Sequence, residues 1–292
     1  MLNKKKATWI GIGYILPSFM LILVFSILPI MMNIYYSFTD YNIMQNPTWV
    51  GFANYERLIN DRYVWVALKN TLVYTLLTVP VQTILSLIFA VLIAEFFRKK
   101  FGMFIKGSMF VPVIASAVLV GTLWGILLAP SGLVNSVLGL VGVKPINWLG
   151  SKFTSLFSVA MASVWKNVGY FLVIYYAGVM DIPRTLYEAA EVDGATGIQR
   201  FFYITIPILK PISFLVVTLG TIWSFQVFDM VFTMTGGGPG MSTVTLVLTI
   251  YNTAFKEYSM GYASAIALLM FIFVMIISGI QKFILNRKDK GV

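Results

Sequence analysis

Three carboxylates, Glu188, Glu191 and Asp193, fall within six residues of a chain that has only eleven acidic side chains in all. Clustered carboxylates are first a candidate for acid–base chemistry. The sequence offers them no histidine and no cysteine. That removes the usual neutral-pH base, thiol nucleophiles, disulfides and most zinc sites. Glu188 and Glu191 share a helical face at i, i+3, which suits docking on a partner better than proton transfer. Phosphate chemistry has no better support. No G-x-x-x-x-G-K-[ST] occurs. Gly236-Gly237-Gly238-Pro239 lacks the following lysine, and the run from Gly102 to Ser108 has the wrong order. A catalytic site and an ATP or Mg site are therefore not expected in this chain.

A second constellation consists of polar groups inside apolar runs. Ser163, Lys166, Asn167 and Tyr170 share one helical face. Lys166 stands about ten residues into its run, roughly 15 Å deep at a helical rise, where a lysine costs about 2.5–3.5 kcal/mol. Trp223, Gln226 and Met230 are read as one face of the next run, with Asp229 nearer its outer end and within reach of Lys166. These residues can be interhelical glue. They can equally form a sugar site, a flat aromatic against C–H faces with amide and charged groups on the hydroxyls.

The elements that must position both groups are membrane spans. Hydrophobic residues make up 59% of the 292 and charged residues 11%, with a mean hydropathy of +0.85; soluble domains carry about 25% charged residues. Apolar runs near twenty residues lie at about 9–38, 68–97, 109–128, 156–180, 208–232 and 261–285. The basic start before the first run is read as preceding a retained span, eased by Pro17 and Pro29, because the run is too long for a signal peptide. Between the runs, residues 39–65 read as an external loop with a short amphipathic helix near 55–59. Residues 130–152 read as a glycine-rich loop, and the segment after 232 as an outer loop that partly re-enters. The division is one transmembrane domain: first span and loop over 1–66, a five-span core over 67–285 and a tail over 286–292.

Six spans place both termini on one side. Fourteen of the 21 basic residues fall in the terminal, second-to-third and 183–210 segments and six in the opposite loops. The positive-inside bias makes the first set cytoplasmic. Attraction of juxtamembrane lysines to lipid headgroups accounts for the net charge of +10 without nucleic acid.

Between the fourth and fifth runs lies Tyr187 to Pro207, YEAAEVDGATGIQRFFYITIP. Pro183 suits a first helical turn. Ala189 and Ala190 favour helix, and Gly194 can take the left-handed conformation that stops one. Thr196 can cap a second helix, which Pro207 is expected to break. The alternatives are a solvated loop and a small-faced helix that enters another protein's groove.

Glu188-Ala189-Ala190, then Asp193-Gly194-Ala195, then Ile204 to Pro207 resemble the cytoplasmic EAA loop of permease subunits of binding-protein-dependent ABC importers; Ile206 stands where leucine is usual. Trp223-Ser224-Phe225 and Val227-Phe228-Asp229, followed by Thr235 to Pro239, are similar to the carbohydrate branch, the maltose and glycerol-phosphate permease type. So are G-x-x-N-Y at Gly51 to Tyr55 and A-L-K-N-T at Ala67 to Thr71. Residues 39–65 are too few for the large external domain of the maltose permease itself. The resemblance implies an all-α, six-helix type I importer permease in a bacterial or archaeal cell membrane. It implies four kinds of partner: a homologous second permease, two ATPase subunits holding ATP and Mg, an extracytoplasmic sugar-binding protein, and membrane lipid. Coupling falls to Glu188, Ala189, Ala190, Asp193, Gly194 and Pro207, and substrate contact to Lys166, Asn167, Tyr170, Trp223, Gln226 and Asp229. The rival readings are an ion-coupled carrier using Lys166 and Asp229, and an ABC permease for a peptide or phosphate ester. A membrane-embedded enzyme lacks the residues it would need.

Overall fold

The computed structural model describes residues 4–97 and 100–286. Arg98, Lys99, Arg287, Lys288 and Lys290, which entered the charge count, lie outside the described residues, as do the side chains of residues 4–11 and 285–286.

One compact unit runs to Asp61 and includes Ile250–Leu269. It opens with α1 (Lys4–Ile22), a π-helical segment Leu23–Ile27 and α2 (Leu28–Ser37). Pro29 has no N–H for the carbonyl four residues back and its ring crowds that carbonyl. The π segment widens the turn at that point, and the Leu28 N–H reaches back to Leu23 instead. The loop that follows contains a ribbon too short for a period-two pattern, β1 (Thr39–Asp40) antiparallel to β2 (Thr48–Trp49), and then α3 (Ala53–Asn60). The G-x-x-N-Y motif earns its residues here. Gly51 sits at φ +61°. Asn54 Nδ2 donates to the carbonyls of Ser37 and Thr39, both at 2.9 Å, and the Tyr55 and Ser37 hydroxyls meet at 2.7 Å. Buried Tyr262 donates to Asp61 Oδ2 at 2.7 Å, with the Arg57 guanidinium 3.8 Å from its ring centroid.

The second unit takes Arg62–Thr249 and the residues from Met270 onward. Its helices are α4 (Arg62–Phe96), α5 (Lys100–Ile114), α6 (Ala117–Leu127), α7 (Leu133–Leu140), α8 (Ser155–Asp181) and α9 (Arg184–Val192). Next come α10 (Gly197–Arg200), a π segment Phe201–Thr205, α11 (Ile206–Ile208), α12 (Lys210–Phe225), α13 (Asp229–Met234) and α14 (Leu246–Tyr251). The last helix, α15 (Met260–Asn286), belongs to the first unit as far as Leu269 and to the second from Met270. Residues 12–37, α4, α8 and 260–284 are each long and apolar enough to cross a membrane; two bent pairs complete six spans when each pair is one. The architecture is the all-helical membrane fold expected.

Three details differ from expectation. The third span is broken: α5 and α6 meet at 99°. The break falls at Ser116, whose side chain accepts from the Leu119 N–H at 3.2 Å and caps α6. Pro207 does not end the second helix of the 187–207 stretch. As at Pro29, a π segment two residues upstream absorbs it, and the 70° bend comes at Leu209. Residues 130–152 are not all loop, since α7 lies among them. Its buried Asn135 donates to the carbonyls of Ala129, Pro130 and Ile146 and accepts from the Ile146 N–H and Trp148 Nε1. One amide thus satisfies backbone that apolar packing leaves stranded.

The outer loop is tied to α4 by the A-L-K-N-T motif. Asn70 Nδ2 donates to Met241 and Val244 carbonyls at 2.8 and 3.0 Å, and Thr71 Oγ1 accepts from the Leu246 N–H at 3.0 Å. Gly236, Gly237 and Gly240 all have positive φ, so the glycine run is a turn. Beneath it, α4 and α8 pack closely, and Ser86 Oγ donates to the Val168 carbonyl at 2.9 Å. Gly169 lets α8 approach the backbone of α5 at Met109.

Candidate functional site

A cavity of about 320 Å³ opens where α4, α8 and the end of α12 converge. Of the six residues expected at a substrate site, Lys166, Asn167, Trp223, Gln226 and Asp229 line it. Tyr170 does not. It packs behind Trp223 with ring centroids 4.8 Å apart, and Phe171 does the same at 5.4 Å, so the indole is held in one orientation with part of its surface free. The expected single face of Trp223, Gln226 and Met230 is not formed, because α12 stops at Phe225. Gln226 is the C-cap, and the freed Val227 carbonyl accepts from Thr245 Oγ1 at 3.3 Å. Asp229 then opens α13, where a carboxylate suits the dipole.

No ion pair joins Lys166 to Asp229. Lys166 Nζ donates instead to the Val113 carbonyl of α5 at 3.2 Å. The cavity also has a wall that the sequence reading missed. Tyr74, Thr78 and Gln82 of α4 line it beside Ser163. Their i, i+4, i+8 spacing is a polar stripe in an apolar run, and it was there to be read. The arrangement brings a fixed aromatic face, two amides, one amine, one carboxylate and several hydroxyls around one small space. It can hold a polyhydroxylated molecule, and it contains no nucleophile–base pair.

At the other functional stretch the local reading holds closely. Pro183 stands just outside the first turn expected for it, as the N-cap of α9 at φ −58° and ψ 126°. Gly194 takes φ +78°. Its N–H donates to the Glu191 carbonyl at 3.0 Å while the Ala195 N–H reaches Ala190 at 2.8 Å, a Schellman stop. Thr196 caps α10 in a reciprocal box with Gln199. Glu188, Ala189 and Asp193 are exposed along this segment and Pro207 lies beyond the π turn. Large apolar side chains stand out beside them. Val192 is 88% exposed, Ile198 73% and Tyr203 80%. Exposed apolar groups around a short charged helix are the features that protein-docking surfaces share.

Residues 67–290 match the family described as the binding-protein-dependent transport system inner membrane component. A probable ABC transporter permease of Bacillus subtilis, YurN, is 33% identical, with 99% of this chain and all of that protein aligned. The trehalose/maltose transport system permease protein MalF of Thermococcus litoralis is 34% identical over 94% of this chain and 93% of its own. Among solved structures, a chain of a bacterial ABC transporter involved in the import of the acidic polysaccharide alginate superposes with a TM-score of 0.84. It covers 97% of this chain and 96% of that one at 23% identity.

Proposed function

The chain belongs to the family of binding-protein-dependent transport system inner membrane components, and from that premise we propose that it forms half of the pathway of an ATP-driven sugar importer. A homologous second permease supplies the other half. An extracytoplasmic sugar-binding protein delivers the cargo, and two ATPase subunits, which hold ATP and Mg, dock on α9. The basic residues of the 183–210 segment support a cytosolic position for α9 and both termini. Lipid covers the apolar outer surface. Closure of the ATPases moves α9, and Glu188, Ala189, Ala190, Asp193 and Gly194 carry that motion to the spans. The π segment and Pro207 lead to the bend at Leu209, which forms the knee between α10 and α12. As the spans rock, the cavity opens alternately to either side.

One observation carries the sugar reading: Trp223, braced by Tyr170 and Phe171, faces a cavity that also presents Lys166, Asn167, Gln226 and Asp229. The indole stacks on the sugar's C–H face and the polar groups bond its hydroxyls. The hydrogen bond from Lys166 to Val113 leaves the ion-coupled alternative without its charge pair.

Proteoliposomes holding the whole complex, supplied with its binding protein and labelled oligosaccharides, test this directly. Uptake should require internal ATP and persist when a protonophore is added. Collapse of uptake by protonophore with ATP still present would transfer the chain to the ion-coupled carriers. In the same vesicles Trp223→Ala should lower uptake about tenfold, the factor that corresponds to about 1.4 kcal/mol of lost contact. Kinetics identical to wild type would return Trp223 to simple packing.

A further inference from the structure

Behind α9 lies a second cavity, of about 470 Å³, bounded by the C-terminal ends of α4 and α8 on one side and by α9, α10 and the π segment on the other. A helix that transmits force is normally backed by packed side chains, since close-packed interiors transmit strain. Here α9 packs Tyr187 against the buried cluster that includes Tyr175, Ile182 and Leu209, and beyond that contact it is propped across the cavity. Tyr187 meets Thr205 hydroxyl to hydroxyl at 2.9 Å. Arg200, which lines the cavity, uses two different guanidinium nitrogens. Nη1 is 3.5 Å from Glu191 Oε2 on α9, and Nη2 is 3.7 Å from Glu95 Oε1 near the end of α4. Arg200 is the least exposed of the three, with its side chain at 22% against 46% for Glu95 and 73% for Glu191.

We propose that Arg200 is a positioning residue for coupling, a strut that holds α9 at a fixed distance from the end of α4 through Glu191 and Glu95. The covalent links of α9 are the Ile182-Pro183 entry and the Asp193-Gly194 turn, and the latter relies on a glycine in the left-handed region. Such a turn defines direction but yields under load. A planar guanidinium bridging two carboxylates fixes separation as well, which a flexible lysine does less well. Ion pairs this exposed add little to overall stability. Removing them should leave the protein assembled and change how much of the ATPase stroke arrives at α4.

The proposal rests on the transport reading above, and its test separates the two. Uptake and ATP hydrolysis are measured together in proteoliposomes of the whole complex for wild type, R200Q, R200K, E95Q and the R200Q/E95Q pair. Sugar imported per ATP hydrolysed should fall about fivefold or more in R200Q, the lower end of ordinary coupling energies. R200K should recover part of the loss and E95Q should show a smaller one. The double variant should be no worse than R200Q, because both substitutions cut one strut. Unchanged stoichiometry in R200Q, or losses that simply multiply in the pair, overturns the strut while the transport reading stands. Should R200Q fail to assemble, E95Q keeps Arg200 and its bond to Glu191, and an unchanged stoichiometry there overturns the strut equally. Absence of ATP-driven uptake by the wild type overturns the function and the strut with it.

Discussion

Gly194→Pro is expected to stop transport by a complex whose membrane spans remain folded. The native residue sits at φ +78°, and proline is confined near −65°. Two bonds close the turn, Gly194 N–H to Glu191 and Ala195 N–H to Ala190. Proline cannot make the first, and its ring turns the chain away from the geometry of the second. The path from α9 to α10 then leaves in another direction, and the docking face loses its relation to α12. No heavy atom lies within 4 Å of a Cβ built at Gly194, so backbone conformation and not collision is the cause. Gly194→Ala is the graded control. It keeps the N–H and carries only the left-handed penalty of about 1–2 kcal/mol, and partial uptake is expected. Measured in vesicles alongside gel filtration in detergent, the order should be wild type, alanine, proline, with all three eluting as assembled complexes. Full uptake by the proline variant would remove α9 from the coupling route.

That turn was readable in the sequence because its signals are local. Pro183, Gly194 and the Thr196–Gln199 pair each act through their own backbone or the next turn. The first, second, fourth and sixth spans were readable for a related reason, since a continuous apolar run long enough to cross a bilayer has few alternatives. What failed were the interruptions. Pro207 looks like a break, yet the chain bends instead at Ser116, Leu209 and Gln226. These bends depend on partners distant in sequence or on a local cap that resembles any other serine. Val227 leaves the helix because Thr245, eighteen residues on, satisfies its carbonyl.

The candidate site was half legible on the same grounds. Residue types announced Lys166 and Trp223, but distance decides pairing, and Lys166 found a backbone carbonyl on α5 where a carboxylate was expected. The contribution of α4 was hidden for a different reason. In a run that reads as uniformly apolar, the stripe Tyr74, Thr78, Gln82 is visible only when polar residues are tested for helical spacing separately. Likewise α7 lies in a stretch whose glycines argue for loop, and the bonds of Asn135 outweigh that local preference.

A large effect on stability is expected at Gly169. A Cβ placed there meets the Met109 carbonyl, with Phe110 Cα at 3.2 Å. Both belong to the backbone of α5 and cannot rotate aside. At Gly178 the obstacles are the side chains of Ile212 and Leu209, and at Gly220 the nearest is the amide of Gln82, which can move. Even Gly169→Ala therefore requires α5 and α8 to separate, at about 1–3 kcal/mol by analogy with overpacked cores. Gly169→Leu adds three more carbons at the same seam and should leave little folded protein. The consequence reaches the cavity. Met109 is one helical turn from Val113, whose carbonyl holds Lys166, and Lys166 is about one turn from Gly169. Pushing α5 away at Met109 draws Val113 from the amine and frees a charge inside the span, where its solvation is poor. The alanine variant should thus lose heat stability in detergent and transport together. A leucine variant with the wild-type midpoint and normal uptake would mean that α5 and α8 are not in backbone contact at this glycine and that Lys166 is placed by something else.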